Sequence, residues 1–196
     1  MTSTLLNRIA GALTATGDYS DHDLVLFEKE VRSRQVKNAE ILLNEGEVAR
    51  SIYFLLEGAV YQHSIKSDGS IQVLDLHADG EWFLNHQSFV TQTPSESNIS
   101  AFADTWLLEI SIASIHFLIG QSPSFLQLNK ILAQSTSRVY FFDHSSTPLQ
   151  KYEYLFRNKQ LLLKRFPLKM IASYLKITPE TLSRVRERFA KEPNRY

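Results

Sequence analysis

The sequence predicts an α+β protein: an N-terminal jelly roll (double-stranded β-helix), a long helix, and a small C-terminal helical domain. Three observations carry this reading. From about Val36 to Ile112 the chain runs as short apolar stretches broken by Gly, Asn and Asp, the texture of a β-sandwich or jelly roll. Phe125, Leu128, Leu132, Ser135, Val139 and Phe142 then recur at alternating spacings of three and four, the stripe of a long helix. The last 45 or so residues are helical in pattern and carry a charge opposite to everything before them.

Residues 4–33 read as helical, with apolar positions at Leu24, Phe27 and Val31 in "LVLFEKEVRSR". "SIYFLLEGAVYQHSI" and "SIQVLDLHA" are strand-like runs joined across "KSDGS", where Asp68-Gly69 signals a hairpin. The long helix spans roughly Pro123 to His144. Its stripe fits either packing on its own β-domain or pairing with a second copy. "SSTP", Ser145 to Pro148, breaks it and reads as a hinge. The expected organisation is a jelly roll over 1–122, a helix and hinge over 123–146, and a helical domain over 147–196.

The formal net charge of zero hides a segregation. From Lys151 onward there are twelve basic and four acidic side chains, or +8. The first 150 residues hold the other nine basic and seventeen acidic ones, or −8. A basic domain on an acidic one points to a polyanionic partner, although basic helical tails also serve solubility. Mean hydropathy is −0.19, and no run of about 18 apolar residues occurs, so no spanning helix is expected. "MTSTLLNRIAGALTA" lacks the basic-then-apolar order of a secretory signal. Without cysteine there is no disulfide and no thiolate-held metal, and a cytoplasmic protein fits best. The six histidines (His22, His63, His77, His86, His116, His144) show no metal-ligand spacing. Nothing resembles a nucleophile elbow or phosphate loop, and no enzyme activity is expected.

The C-terminal pattern is more specific. Pro167 suits a helix start, and Ile171 and Leu175 lie one turn apart on an inner face, with small Ala172 between them. After a short Lys176-Ile177 turn, Thr178 is an N-cap, Pro179 the first helical residue and Glu180 an acid where the helix dipole favours one. Thr181 rather than Glu or Gln occupies the third position, so no full capping box is expected. At 100° per residue Leu182, Val185 and Phe189 cluster on one side. Glu180, Ser183, Arg184, Glu187 and Arg188 fall opposite, with Thr181 at the edge and Arg186 beside the apolar stripe. This is a helix-turn-helix, whose second helix enters the major groove of DNA with its N-terminal residues on base edges. Arg184 would contact guanine or phosphate, or else pair with Glu180 for a few tenths of a kcal/mol. Glu180 would accept from cytosine or merely stabilise the helix start. Lys169 and Arg188 would meet phosphates.

Over about residues 25–190 the chain resembles the Crp/Fnr family of bacterial transcription regulators. "EILLNEGEVARSIYFLLEGAV" (40–60), with Glu45-Gly46-Glu47 and Gly58, is similar to the family's early-strand signature, and "IASYLKITPETLSRVRERF" to its helix-turn-helix. The resemblance implies a cyclic-nucleotide-binding-type domain, a dimerisation helix with Phe125, Leu128, Leu132, Ser135, Val139 and Phe142 in the seam, and a winged-helix-type DNA-binding domain. It places Glu180, Thr181 and Arg184 on base-reading positions, within a DNA-binding set that also takes in Thr178, Ser183, Arg188 and Lys169. It further implies a homodimer on palindromic double-stranded DNA, with RNA polymerase as another partner. Two departures stand out. Lys176 occupies a turn position where the family often has glycine, and only "KEPNRY" follows the second helix, so the wing is expected to be short or missing.

The resemblance also implies an effector pocket, at Gly80, Glu81, Trp82, Phe83, Ser95 and Glu96. In nucleotide-binding members a Gly-Glu pair holds the ribose and an Arg-Ser or Arg-Thr pair the cyclic phosphate. Here Gly80-Glu81 open the segment, but Ser95 and Glu96 stand where the second pair belongs. No Lys or Arg occurs between Lys66 and Lys130, and a buried phosphate without a cation is costly. Cyclic AMP and GMP are therefore not expected, and no cofactor is identified. Trp82, Phe83 and Phe89 could line a pocket for another effector or serve as β-core. A second reading is a ligand-binding signalling module whose basic tail contacts a protein.

Overall fold

The computed structural model describes residues 2–135 and 147–191, with side chains from Leu6 onward. The N-terminal segment forms two helices rather than one, α1 (Thr2–Thr14) and α2 (Asp21–Glu30). The break follows from local chemistry. Ser20 caps α2 by accepting from Asp23 N, and the Asp23 carboxylate accepts in return from Ser20 N at 2.9 Å. Arg32 and Ser33 belong to the first strand instead of the helix. Ile9, Ala12, Leu13 and Phe27 are buried and fix both helices to the sandwich.

Two four-stranded antiparallel sheets follow. One has the order β1-β8-β3-β6 and the other β2-β7-β4-β5. The strands are β1 (Arg32–Val36), β2 (Ile41–Leu43), β3 (Ser51–Glu57), β4 (Ala59–Ile65), β5 (Ile71–Ala78), β6 (Trp82–Phe83), β7 (Asn98–Ala101) and β8 (Thr105–Ser111). The run "SIYFLLEGAVYQHSI" is thus two strands in different sheets, with Gly58 as the corner between them. Its φ of +119° lies outside what L side chains readily adopt. Thr105 and Asp104 close over it, which leaves no room for a Cβ. The predicted hairpin joins β4 to β5: Lys66 N donates to Ser70 O at 2.9 Å and Gly69 takes φ +78°.

A short helix α3 (His86–Thr91) bridges β6 and β7, and α4 (Ile112–Gln121) follows β8. Residues Pro123–Leu128 are a 3₁₀ helix, not the start of a long α-helix, and helix α5 covers 129–135 of the described residues. This changes the expected seam. Residues three apart eclipse in a 3₁₀ helix, so Phe125 and Leu128 both turn inward. They are 0% and 5% exposed, and Phe125 contacts the rings of Tyr19 and Phe27. Both are spent on their own domain and are not available to a partner. Leu126, 51% exposed, faces outward instead. Leu132 packs partly on the same core and Ser135 is half-buried. Val139, Phe142 and the Ser145-Ser146 half of the proposed hinge lie outside the described residues.

Thr147 caps α6 (Pro148–Asn158) through a reciprocal box with Gln150. "LQKYEYLFRNKQLLLKRF" breaks at Lys159 (φ −139°, ψ 41°) into α6 and α7 (Gln160–Arg165), and α8 (Leu168–Tyr174) and α9 (Pro179–Lys191) complete the chain. Their core of Tyr152, Leu155, Leu162, Phe166, Ile171, Ala172, Leu175 and Leu182 is continuous with Ala59, Val73, Leu76 and Ala78 of β4 and β5. The C-terminal helices therefore pack directly on the second sheet.

The α8–α9 turn explains how Lys176 replaces a glycine. Ile177 N donates to Ala172 O and Lys176 N to Ser173 O, both at 3.0 Å, the paired bonds of a Schellman cap. The cap requires a left-handed residue, and Lys176 takes φ +57°. A β-carbon there is strained, so Lys176→Gly should raise the unfolding free energy by about 1 kcal/mol. Denaturant titration of the two proteins checks this, and a lower midpoint for the glycine variant would contradict it.

Candidate nucleic-acid interface and sensor pocket

Helix α9 presents two unlike faces. Leu182 is fully buried, and half-buried Val185 and Phe189 flank it toward Tyr152 and Phe156 of α6. Because 3.6 residues make a turn, anchoring these three positions turns the opposite side outward. Thr178, Glu180, Ser183, Arg184 and Arg188 are exposed there and Thr181 is half-buried. Lys169 is exposed on α8. Arg186 is also exposed but falls beside the apolar stripe, and with Ser183 and Glu187 it lines a cleft between α6 and α9 formed by Tyr152, Phe156 and Phe189.

The start of α9 is well ordered by its own side chains. Thr178 Oγ1 accepts from Thr181 N at 3.1 Å and sits 3.1 Å from Thr181 Oγ1. The Glu180 backbone N–H, and then the Thr178 hydroxyl, hold the Glu180 carboxyl below the usual carboxylate range, so it remains an acceptor in mildly acidic solution. Arg184 Nη2 reaches Thr181 Oγ1 at only 3.5 Å, a weak contact that leaves the guanidinium fork able to turn toward a ligand. Residues 192–196, where a short wing would begin, lie outside the described residues.

The expected effector residues do not gather at one place. Gly80 (φ +82°) makes the turn between β5 and β6. The carboxylate of Glu81 accepts from Lys159 Nζ and, at 3.4 Å, from Ala78 N, and stands 3.7 Å from His77 Nδ1. Trp82 and Phe83 are 8% and 1% exposed. They are core: Trp82 Nε1 donates to Ala12 O at 2.8 Å, and Phe83 stacks between Tyr53 and His77. Phe89 is buried in the same core. Glu96 is exposed, whereas Ser95 is 3% exposed.

Ser95 belongs to a network that sequence reasoning missed, centred on Asn85. Asn85 Nδ2 donates to Ser95 Oγ at 2.7 Å and to Ser97 Oγ at 3.0 Å, while its Oδ1 caps α3 by accepting from Ser88 N. Gln62 Nε2 adds a 2.7 Å bond to Ser97 Oγ. An Asn three residues before a Ser at the head of "HQSFV" is an N-cap pattern that could have marked it. Every member is uncharged. The charged side chains around His77 are Asp75, whose Oδ2 is 3.4 Å from Nε2, and Glu81, which faces the ring's other nitrogen and is paired with Lys159. Among the described residues no group of three or more metal-capable side chains gathers, and no helix is long and apolar enough to cross a membrane.

The family model described as the cyclic nucleotide-binding domain matches residues 33–122. No curated protein matches the chain. Among solved structures, the fold is shared with FixK2 from Bradyrhizobium japonicum at 18% identity, covering 83% of this chain and 86% of that one, TM-score 0.65. A CooA mutant from Carboxydothermus hydrogenoformans is 18% identical over 91% of this chain and 83% of that one, TM-score 0.60. The Catabolite Activator Protein of Thermus thermophilus is 19% identical over 89% and 85%, TM-score 0.52. The likeness to these structures covers far more of the chain than the matched domain, and at such identities it is a likeness of fold.

Proposed function

We propose, from the premise that residues 33–122 are a cyclic nucleotide-binding-type domain in a chain with the Crp/Fnr architecture, that this protein is a sequence-specific DNA-binding transcription regulator. The carrying observation is the exposed face of α9, where Glu180, Ser183, Arg184 and Arg188 stand opposite the buried Leu182. Those groups are the donors and acceptors that read base edges and phosphates. They belong to a segment of net charge +8, which supplies the electrostatic attraction to a duplex. As a homodimer the protein would place two such helices about one DNA turn, roughly 34 Å, apart on an imperfect palindrome. Since Phe125 and Leu128 are consumed internally, Leu132 and Ser135 are the described positions of the stripe left to a dimer contact.

The sensor domain works without a cyclic nucleotide. A cyclic phosphate beside Glu81 would meet two carboxylates, Asp75 and Glu81, with the nearby cation Lys159 already engaged, and one beside Ser95 would meet the neutral Asn85–Ser95–Ser97 network. An uncharged effector, or none, suits that chemistry.

Selection from a pool of genomic fragments with the purified protein, run with and without cyclic AMP, tests both statements. A palindromic motif enriched equally in the two arms is the expected result. Failure to enrich any sequence would sink the regulator reading and favour the protein-contacting tail. Enrichment only with cyclic AMP would show that the pocket accepts a cyclic phosphate after all.

A further inference from the structure

We infer that the turn Asp79-Gly80-Glu81 is an interdomain latch that holds the DNA-binding helices at a fixed orientation on the sensor. This rests on the regulator reading for its consequence, though not for its geometry. The turn offers two carboxylates, and both are taken by the C-terminal domain. Glu81 Oε1 pairs with Lys159 Nζ, and Asp79 Oδ2 with Arg165 Nη2 at 2.6 Å. Lys159 and Arg165 flank helix α7, so one three-residue turn grips that helix at both ends. The break at Lys159 is what frees its side chain from the α6 helix to reach back.

The grip is built in from the sensor side as well. The second oxygen of Asp79 accepts from Gly58 N at 2.6 Å, which ties the turn to the corner between the two sheets. Ser173 of α8 accepts from Val73 N of β5 at 3.0 Å, and Phe166 meets Phe102 with ring centroids 5.0 Å apart. The side chains of Glu81 and Lys159 are only 14% and 21% exposed, so water screens their pair less than a surface ion pair. Beyond Glu81 the chain passes through β6 directly to Asn85 and its serine network. An occupant that moves Asn85 therefore pulls on the turn, and the turn pulls on α7.

The latched form leaves the reading face of α9 uncovered. The latch therefore aims the recognition helix and does not block it. A protein with the latch open keeps its base contacts but loses the fixed separation between the two helices of a dimer, as expected when an element with two discrete placements is released.

The test uses the full chain with both sensor carboxylates neutralised, Asp79→Asn with Glu81→Gln. Neither residue lies on the DNA-binding domain. Amide hydrogen exchange is read in α7 and, as reference, in β1, which does not touch the turn. Exchange in α7 should speed up about tenfold with β1 unchanged. Unchanged exchange in α7 overturns the latch. Should both regions speed up together, the swapped pair Asp79→Arg with Arg165→Asp decides: restored protection in α7 supports the latch and continued loss overturns it. On a selected palindrome, the neutralised variant should also discriminate less than the wild type against a spacer lengthened by about three base pairs. Retained spacer discrimination with loosened α7 overturns the aiming role. A wild type that binds no DNA sinks the regulator reading, while the exchange result still judges the latch.

Discussion

Gly58→Ala should cost about 3 kcal/mol of stability, read as a lower denaturant midpoint with unchanged slope. Two penalties add. The φ of +119° is strained for any residue with a β-carbon. The new Cβ would also overlap Thr105 Oγ1 and stand 2.8 Å from Thr105 Cα and 2.9 Å from Asp104 O. A hydroxyl can rotate away. Two backbone atoms in the β7–β8 connection move only by shifting β8, which pairs with both β1 and β3. Gly58 N also donates to Asp79, so displacement is felt at the β5–β6 turn. A variant within about 1 kcal/mol of the wild type would mean that the corner relaxes far more easily than its contacts indicate.

Arg184→Ala should weaken binding to a selected palindrome by about 1–3 kcal/mol per half-site and relax specificity at one symmetric pair of positions. The side chain is exposed and supports no buried neighbour, so the fold is not at risk. Competition titrations against operators substituted one base pair at a time are the measurement. Lys169→Ala is the comparison: a phosphate-binding cation strengthens all sequences alike, so its removal weakens them uniformly and lowers the salt dependence by about one ion per site. If Arg184→Ala gives that uniform pattern, Arg184 is a phosphate clamp and base reading falls to Glu180, Thr181 and Ser183.

Much of this was legible from local signals. Asp68-Gly69 marked the β4–β5 hairpin because only a few residues accept its geometry. Helix α9 and its buried side could be read from Thr178, Pro179 and the Leu182–Val185–Phe189 stripe, since capping and periodicity act within a few residues. Three features were hidden for physical reasons. An unbroken apolar run does not show that a chain changes sheets at Gly58. Spacing of three and four suits a partner's helix, a domain's own core or a 3₁₀ turn, and Phe125 and Leu128 went to the latter two. The Glu81–Lys159 pair joins residues 78 apart in sequence, beyond any local pattern. The pocket fell between these cases: Ser95 lies in the polar network as a buried group, while Glu81 is turned toward the other domain.

Strand β5 ends its sheet on one side, and an edge strand with open N–H groups is a template for pairing with other chains. Here α7 and α8 cover it, and Ser173 occupies the Val73 N–H. The helical domain is thus also a guard against self-association. A sensor fragment cut free near residue 146 would bare Val73 and Leu76 beside the already exposed Ile71 and Leu74, four apolar side chains on one open edge. Such a fragment would gather into sheets of its own making, so the two domains owe each other solubility as well as position.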